Sequence, residues 1–100
     1  MDSATAYGRM SVSRLIEELE GITLTLSSRM RELGSLTQDY NNDFYPTYFR
    51  TPGNSVAAKE REANYQCLQH LNEIALVEAD IRALTTLRDL LLTMLPYATE

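Results

Sequence analysis

From Val12 onward the apolar residues recur every three or four positions, and that spacing predicts a helix packed along its length. Val12, Leu19, Leu26, Leu33 and Tyr40 hold one heptad position; Leu15, Ile22 and Leu36 hold the other. Ile16, Met30 and Phe44 widen the stripe along one flank. Ser11 or Ser13 suits the N-cap, because a hydroxyl there accepts from a free amide of the first turn. Glu17 and Glu18 follow near the positive end of the helix dipole. One segment cuts across the pattern. Gly21-Ile22-Thr23-Leu24-Thr25-Leu26 alternates as a strand does, and Gly and Thr are weak helix formers. The heptad phase carries through it unchanged, so the reading is one helix, locally weak there, over about residues 12–45, ended or kinked by Pro46.

Residues 46–54 hold two prolines, a glycine and asparagine, the composition of a turn. A second helix then starts at Asn54 or Ser55 and meets no Gly or Pro before Pro96, which places it over about residues 55–95. Its inward stripe is Ala63, Cys67, Leu71, Ile74, Ile81, Leu84, Leu91 and Leu95, and Ala57, Ala58 and Ala63 allow close approach near the hinge. Folding at the break gives an all-α, coiled-coil-like antiparallel hairpin of two long helices in a single domain, residues 12–96. Residues 1–11 form a flexible lead-in and 97–100 a tail. Arg29 interrupts the first stripe, and the register of such a hairpin sets it across from Glu73 or Glu78 as an ion pair. The end of the second helix is apolar on more than one side, which predicts a helical homo-oligomer formed through Leu87, Leu90, Leu91, Met94 and Leu95.

Composition narrows the function classes. One hundred residues suit one domain, and 44% hydrophobic with 23% charged residues is the balance of a folded chain. The net charge of −5 with no basic run argues against nucleic-acid binding, which rests on neutralising phosphates. Eight of the nine basic residues are Arg, a bias of GC-rich coding or of planar bidentate contacts. A lone Cys67, no secretory leader and no apolar run long enough to span a membrane lead to the expectation of a cytoplasmic protein without membrane contact.

Candidate chemistry is sparse. Cys67 and His70 are the only thiol–imidazole pair, at i, i+3, without a visible third group to orient the base or further ligands to close a zinc site. They read as a small core residue and a boundary polar group. Glu17, Glu18, Glu20, Glu78 and Asp80 are spaced as solvated helix positions, and no phosphate loop or nucleophile elbow occurs. The expectation is no enzyme, no cofactor and no metal. What stands out is aromatic. Six of the eight aromatic residues lie between positions 40 and 65, most of them at the hinge. Phe44 and Phe49 read as the miniature core closing the hairpin end. Tyr45, Tyr48, Arg50 and Tyr65 read as the outward members, and with Phe49, which fits either role, they make the candidate partner-binding set Tyr45, Tyr48, Phe49, Arg50 and Tyr65. Lys59-Glu60-Arg61-Glu62 beside them is either a solvated face or part of that surface.

The run Tyr40-x-x-x-Phe44, Ser55-x-x-x-Lys59-Glu60-x-x-Ala63 and Glu78-Ala79-x-Ile81-Arg82-x-Leu84, about half the chain, resembles small helical-hairpin accessory proteins of tailed bacteriophages. The resemblance implies a helical hairpin and an accessory role, in some such proteins against host defence; it carries no functional residues. The leading expectation is a non-catalytic oligomeric adaptor or inhibitor acting on a host or phage protein. The alternatives are a nucleotide sponge using hinge or inter-subunit aromatic and Arg residues, and a structural subunit of a phage assembly.

Overall fold

The computed structural model describes residues 10–99, so the expected lead-in lies outside them up to residue 9, as does Glu100 of the expected tail. Among the described residues all regular structure is helical, with no strand. Helix α1 is Val12–Arg50, α2 is Val56–Gln66 and α3 is Leu68–Met94, followed by a 3-10 turn, Leu95–Tyr97.

Ser11 caps α1: its Oγ accepts from the Arg14 amide at 3.2 Å and its carbonyl from the Leu15 amide at 3.0 Å. The segment 21–26 stays in the helix. Its threonines turn their hydroxyls back on the helix, Thr23 Oγ1 to the Leu19 carbonyl at 2.8 Å and Thr25 Oγ1 to the Gly21 carbonyl at 3.0 Å.

Two boundaries correct the sequence reading. First, α1 does not end near residue 45 but passes through Pro46 to Arg50. An interior proline costs about 3 kcal/mol, since it removes one amide and crowds the carbonyl four residues back. Four ring contacts bracket it: Tyr40–Phe44 at 5.4 Å, Phe44–Tyr45 at 5.2 Å, Phe44–Tyr48 at 6.1 Å and Tyr48–Phe49 at 5.3 Å between centroids. At roughly 0.5–1.5 kcal/mol each, they offset the proline. The helix stops where Pro52 disfavours helical backbone at Thr51, and Gly53, at φ 103°, turns the chain. Ser55 then caps α2, its Oγ accepting from the Ala58 amide at 3.2 Å. Second, the expected helix 55–95 is interrupted for one residue at Cys67, where φ −105° and ψ 17° depart from helical values. The Cys67 amide is shared between the Ala63 and Asn64 carbonyls, both at 3.1 Å. That tightening needs neither Gly nor Pro, so composition gave no sign of it.

The chain packs as two compact units. Among the described residues, one comprises 10–30 and 80–99; the other is Arg31–Ala79. The core of the first is Leu15, Ile22, Leu26 and Leu91, with Met10, Leu19, Ile81, Leu84, Leu87, Leu95 and Ala98 packed partly buried against it. This corrects the expected oligomer surface. Leu91 is 0% exposed and has nothing to offer a partner, and Leu87 and Leu95 spend part of their surface on the same core. Arg29 Nε lies 3.8 Å from Asp80 Oδ2, two residues past the expected Glu78, in a pair too exposed to add more than about 1 kcal/mol.

The second unit is built on smaller buried side chains. Its buried residues are Ala63, Cys67 and Val77, two of them small. From α1 it receives only half-buried side chains, Leu33, Leu36, Tyr40, Phe44 and Tyr48. Polar bonds supplement them. The Tyr40 hydroxyl donates to Asn64 Oδ1 at 2.5 Å, and His70 Nε2 meets Asp43 Oδ2 at 2.6 Å.

Candidate functional site

The candidate residues lie in the second unit, on the last turns of α1 and on α2. Because α1 continues past Pro46, its rings fall into two rows set by helical spacing. Tyr40, Phe44 and Tyr48, four residues apart, form the inner ladder, with Phe44 and Tyr48 stacked at 25° between planes. Tyr45 and Phe49, also four apart, stand edge-on to it at 89° each. The inner row is half-buried, and the Lys59 ammonium lies 5.6 Å from the Tyr48 ring centroid, within cation–π range. The outer row is open: Tyr45 is 54% and Phe49 74% exposed. Phe49, read from the sequence both as a core member and as part of the partner-binding set, lies exposed, whereas Tyr48, expected to face outward, is half-buried. Phe44 is half-buried, on the side where it was expected.

Arg50 lines an open groove of about 540 Å³ with Thr47, Thr51, Pro52, Ala58, Glu62 and Gln66. A smaller groove of about 280 Å³ adjoins it, sharing Ala58 and Glu62 and adding Arg61 and the ring of Tyr65, which is 66% exposed. The structure thus brings Arg50 and Tyr65 to neighbouring grooves and sets Tyr45 and Phe49 on the ring rows of α1. Thr47 and Thr51 direct their hydroxyls to the Asp43 and Thr47 carbonyls, both at 2.8 Å, so each hydroxyl proton is already engaged. Gln66 Nε2 donates to Glu62 Oε1 at 3.0 Å. Of these lining residues, Arg61 and Glu62 belong to the Lys59–Glu62 run already singled out; Thr47, Thr51 and Gln66 were not expected. The Glu62–Gln66 spacing of four was the signal for the last.

The thiol–imidazole pair is placed by its surroundings. Cys67 is 2% exposed, and burial pushes its thiol above the ordinary value, with the Asp43 charge adding to that. A thiol held protonated is a poor nucleophile and a poor metal ligand. His70 faces Asp43. Burial likewise raises the Tyr40 hydroxyl, followed by the influence of Cys67, Tyr45 and Glu60. Among the described residues no three His, Cys, Asp or Glu side chains gather as a metal site, and no helix is long and apolar enough to cross a membrane.

The geometry defines an all-helical chain with an aromatic, arginine-bordered surface on one of its two units. No protein-family model, curated protein or solved structure matches the chain.

Proposed function

We propose that this chain is a non-catalytic binding protein, an adaptor or inhibitor that docks a protein partner on the exposed rings of Tyr45, Phe49 and Tyr65. The observation that carries the reading is their exposure, 54%, 74% and 66%, on a chain that buries only seven of its described residues. Large rings left in water are the usual anchors of protein interfaces, where Tyr and Arg are enriched at the centre. The hairpin reading accompanies it. In the first unit Leu15 shares a core with Leu91 and Arg29 meets Asp80; in the second Asp43 meets His70 and Lys59 meets Tyr48. Within each unit the partner number falls as the α1 number rises, the order of an antiparallel hairpin. Self-association belongs to the same proposal, through the half-buried Leu87, Leu90 and Met94 rather than Leu91. So does a cytoplasmic, phage-accessory or anti-defence setting, on the motifs quoted above.

The test replaces Tyr45, Phe49 and Tyr65 together with Ala and compares helicity, melting and partner capture from the native cell. Retained folding with lost capture is the expected result; unchanged capture overturns the reading. A chain that sediments as a monomer at micromolar concentration overturns self-association. A second reading, a small anionic ligand such as a nucleotide, is favoured by the groove at Arg50 and Tyr65's neighbouring ring. Its mark is base absorbance that purifies with the native chain and is lost on replacing Arg50 with Gln.

A further inference from the structure

We infer that the partner segment is an acidic peptide carrying apolar side chains, seated along the paired grooves, one between the end of α1 and α2 and the other on α2 itself. This rests on the protein-binding reading of the same surface and adds the chemistry of the partner. Residues 44–66 carry three cations, Arg50, Lys59 and Arg61, against Glu60 and Glu62, a net of +1, whereas the rest of the chain carries six cations against twelve acids, a net of −6. The cations also differ in what they face. Arg14 has Glu17 and Glu18, Arg29 has Asp80 and Arg88 has Asp89 within 4 Å. Among the described residues no carboxylate comes within that range of Arg50 or Arg61, nor of Arg31 or Arg82, but of these four only Arg50 and Arg61 line the two grooves. An unpaired guanidinium presents a fork that matches a carboxylate bidentately.

The floor between the two arginines agrees in sign. Ala58, which lines both grooves, lies in the first turn of α2, at the positive end of that helix. Glu62 is the one carboxylate lining the grooves, against Arg50 and Arg61, which leaves their combined lining net positive by one charge. The form of the site selects a peptide. A small ligand is normally enclosed over most of its surface, which two shallow open grooves do not provide. A chain can lie across both, setting carboxylates against Arg50 and Arg61 and an apolar side chain against the Tyr65 ring. The acidic remainder of the protein opposes this only weakly, because charges beyond about 8 Å are screened at physiological salt.

The experiment uses the full chain and two fluorescein-labelled random copolymers, glutamate–tyrosine and lysine–tyrosine, read by fluorescence anisotropy at physiological salt. Beside the native protein it uses Arg50→Gln with Arg61→Gln, and Arg82→Gln as an exposed control in the other unit. Circular dichroism checks that each variant keeps its helicity. The glutamate copolymer is expected to bind at least about tenfold more tightly than the lysine copolymer, with a loss of about tenfold in the double variant and less than about twofold in the control. Equal binding of the copolymers, preference for lysine, no binding of the glutamate copolymer, or equal effects of the double variant and the control would each overturn the proposal. If the native chain ignores the glutamate copolymer while the triple aromatic variant loses its cellular partner, the acidic partner falls and the aromatic surface stands. If the aromatic variant keeps that partner, the surface itself falls.

Discussion

Leu91→Ala decides whether the leucine-rich end of α3 holds the chain together or holds copies together. Leu91 is 0% exposed and sits among Leu15, Ile22 and Leu26, so truncation removes buried methyl groups and leaves a cavity. Such changes cost about 2–5 kcal/mol. Here the value falls near the lower half of that range, about 3 kcal/mol, because the bordering Leu84, Leu87 and Leu95 are only partly buried and can close in. For a chain of this size each kcal/mol moves the melting midpoint by about 4–8 °C, so the expected drop is about 12–24 °C. Leu24→Ala is the control: Leu24 is 73% exposed, and its truncation is expected to change stability by less than about 0.5 kcal/mol.

The assay is thermal melting by far-UV circular dichroism at two protein concentrations about a hundredfold apart. Burial within one chain gives a loss independent of concentration, whereas burial between copies makes the midpoint rise with concentration and confines the loss to the assembled form. A midpoint within about 4 °C of the native protein, or a loss that disappears on dilution, would refute the assignment of Leu91 to the core.

Pro46→Ala is expected to stabilise the chain by about 1–3 kcal/mol in urea melts, since it restores a helical amide to a segment that is already helical. Ser55→Ala should cost about 1 kcal/mol and speed amide exchange in α2 before that in α3. Asp43→Asn and His70→Gln should each cost about 0.5–1 kcal/mol, with a double-mutant coupling that reports the Asp43–His70 hydrogen bond. Alkaline pH is the last lever. The folded thiol of Cys67 and hydroxyl of Tyr40 titrate above their ordinary values, so their contribution is whole below those values and is lost as pH rises through the folded ones. Melting midpoints should fall from about pH 9 upward, and Cys67→Ala with Tyr40→Phe should flatten that slope whatever it does to the plateau; an unchanged slope in the double variant contradicts the cause.

The helices and the larger core were legible because period and burial agree there. Leu15, Ile22 and Leu26 belong to the two heptad positions of α1, and Ala63, Cys67 and Leu91 to the stripe assigned to the second helix. Val77 was passed over, although it stands three residues after Ile74 and four before Ile81, a spacing that already marked it. The break at Cys67 was illegible for a different reason. It is a sharing of one amide between two carbonyls, and no residue type signals that.

The aromatic surface shows how a single local judgement propagates. Taking Pro46 as a stop turned the residues after it into a loop, in which adjacent rings have no fixed sides. Once the helix continues to Arg50, spacing assigns every ring: Tyr48 falls with Tyr40 and Phe44, and Phe49 falls with Tyr45. The information lay in the four-residue intervals, but a proline outweighs any one ring pair. Several of the four contacts acting together match its cost of about 3 kcal/mol. The same rings therefore do two things. The inner row carries the helix through a proline, and by doing so it fixes Tyr45 and Phe49 to one helix face in water instead of leaving them on a mobile turn. A surface held that way gives up little conformational freedom on meeting a partner, which is what the proposed docking on Tyr45 and Phe49 requires.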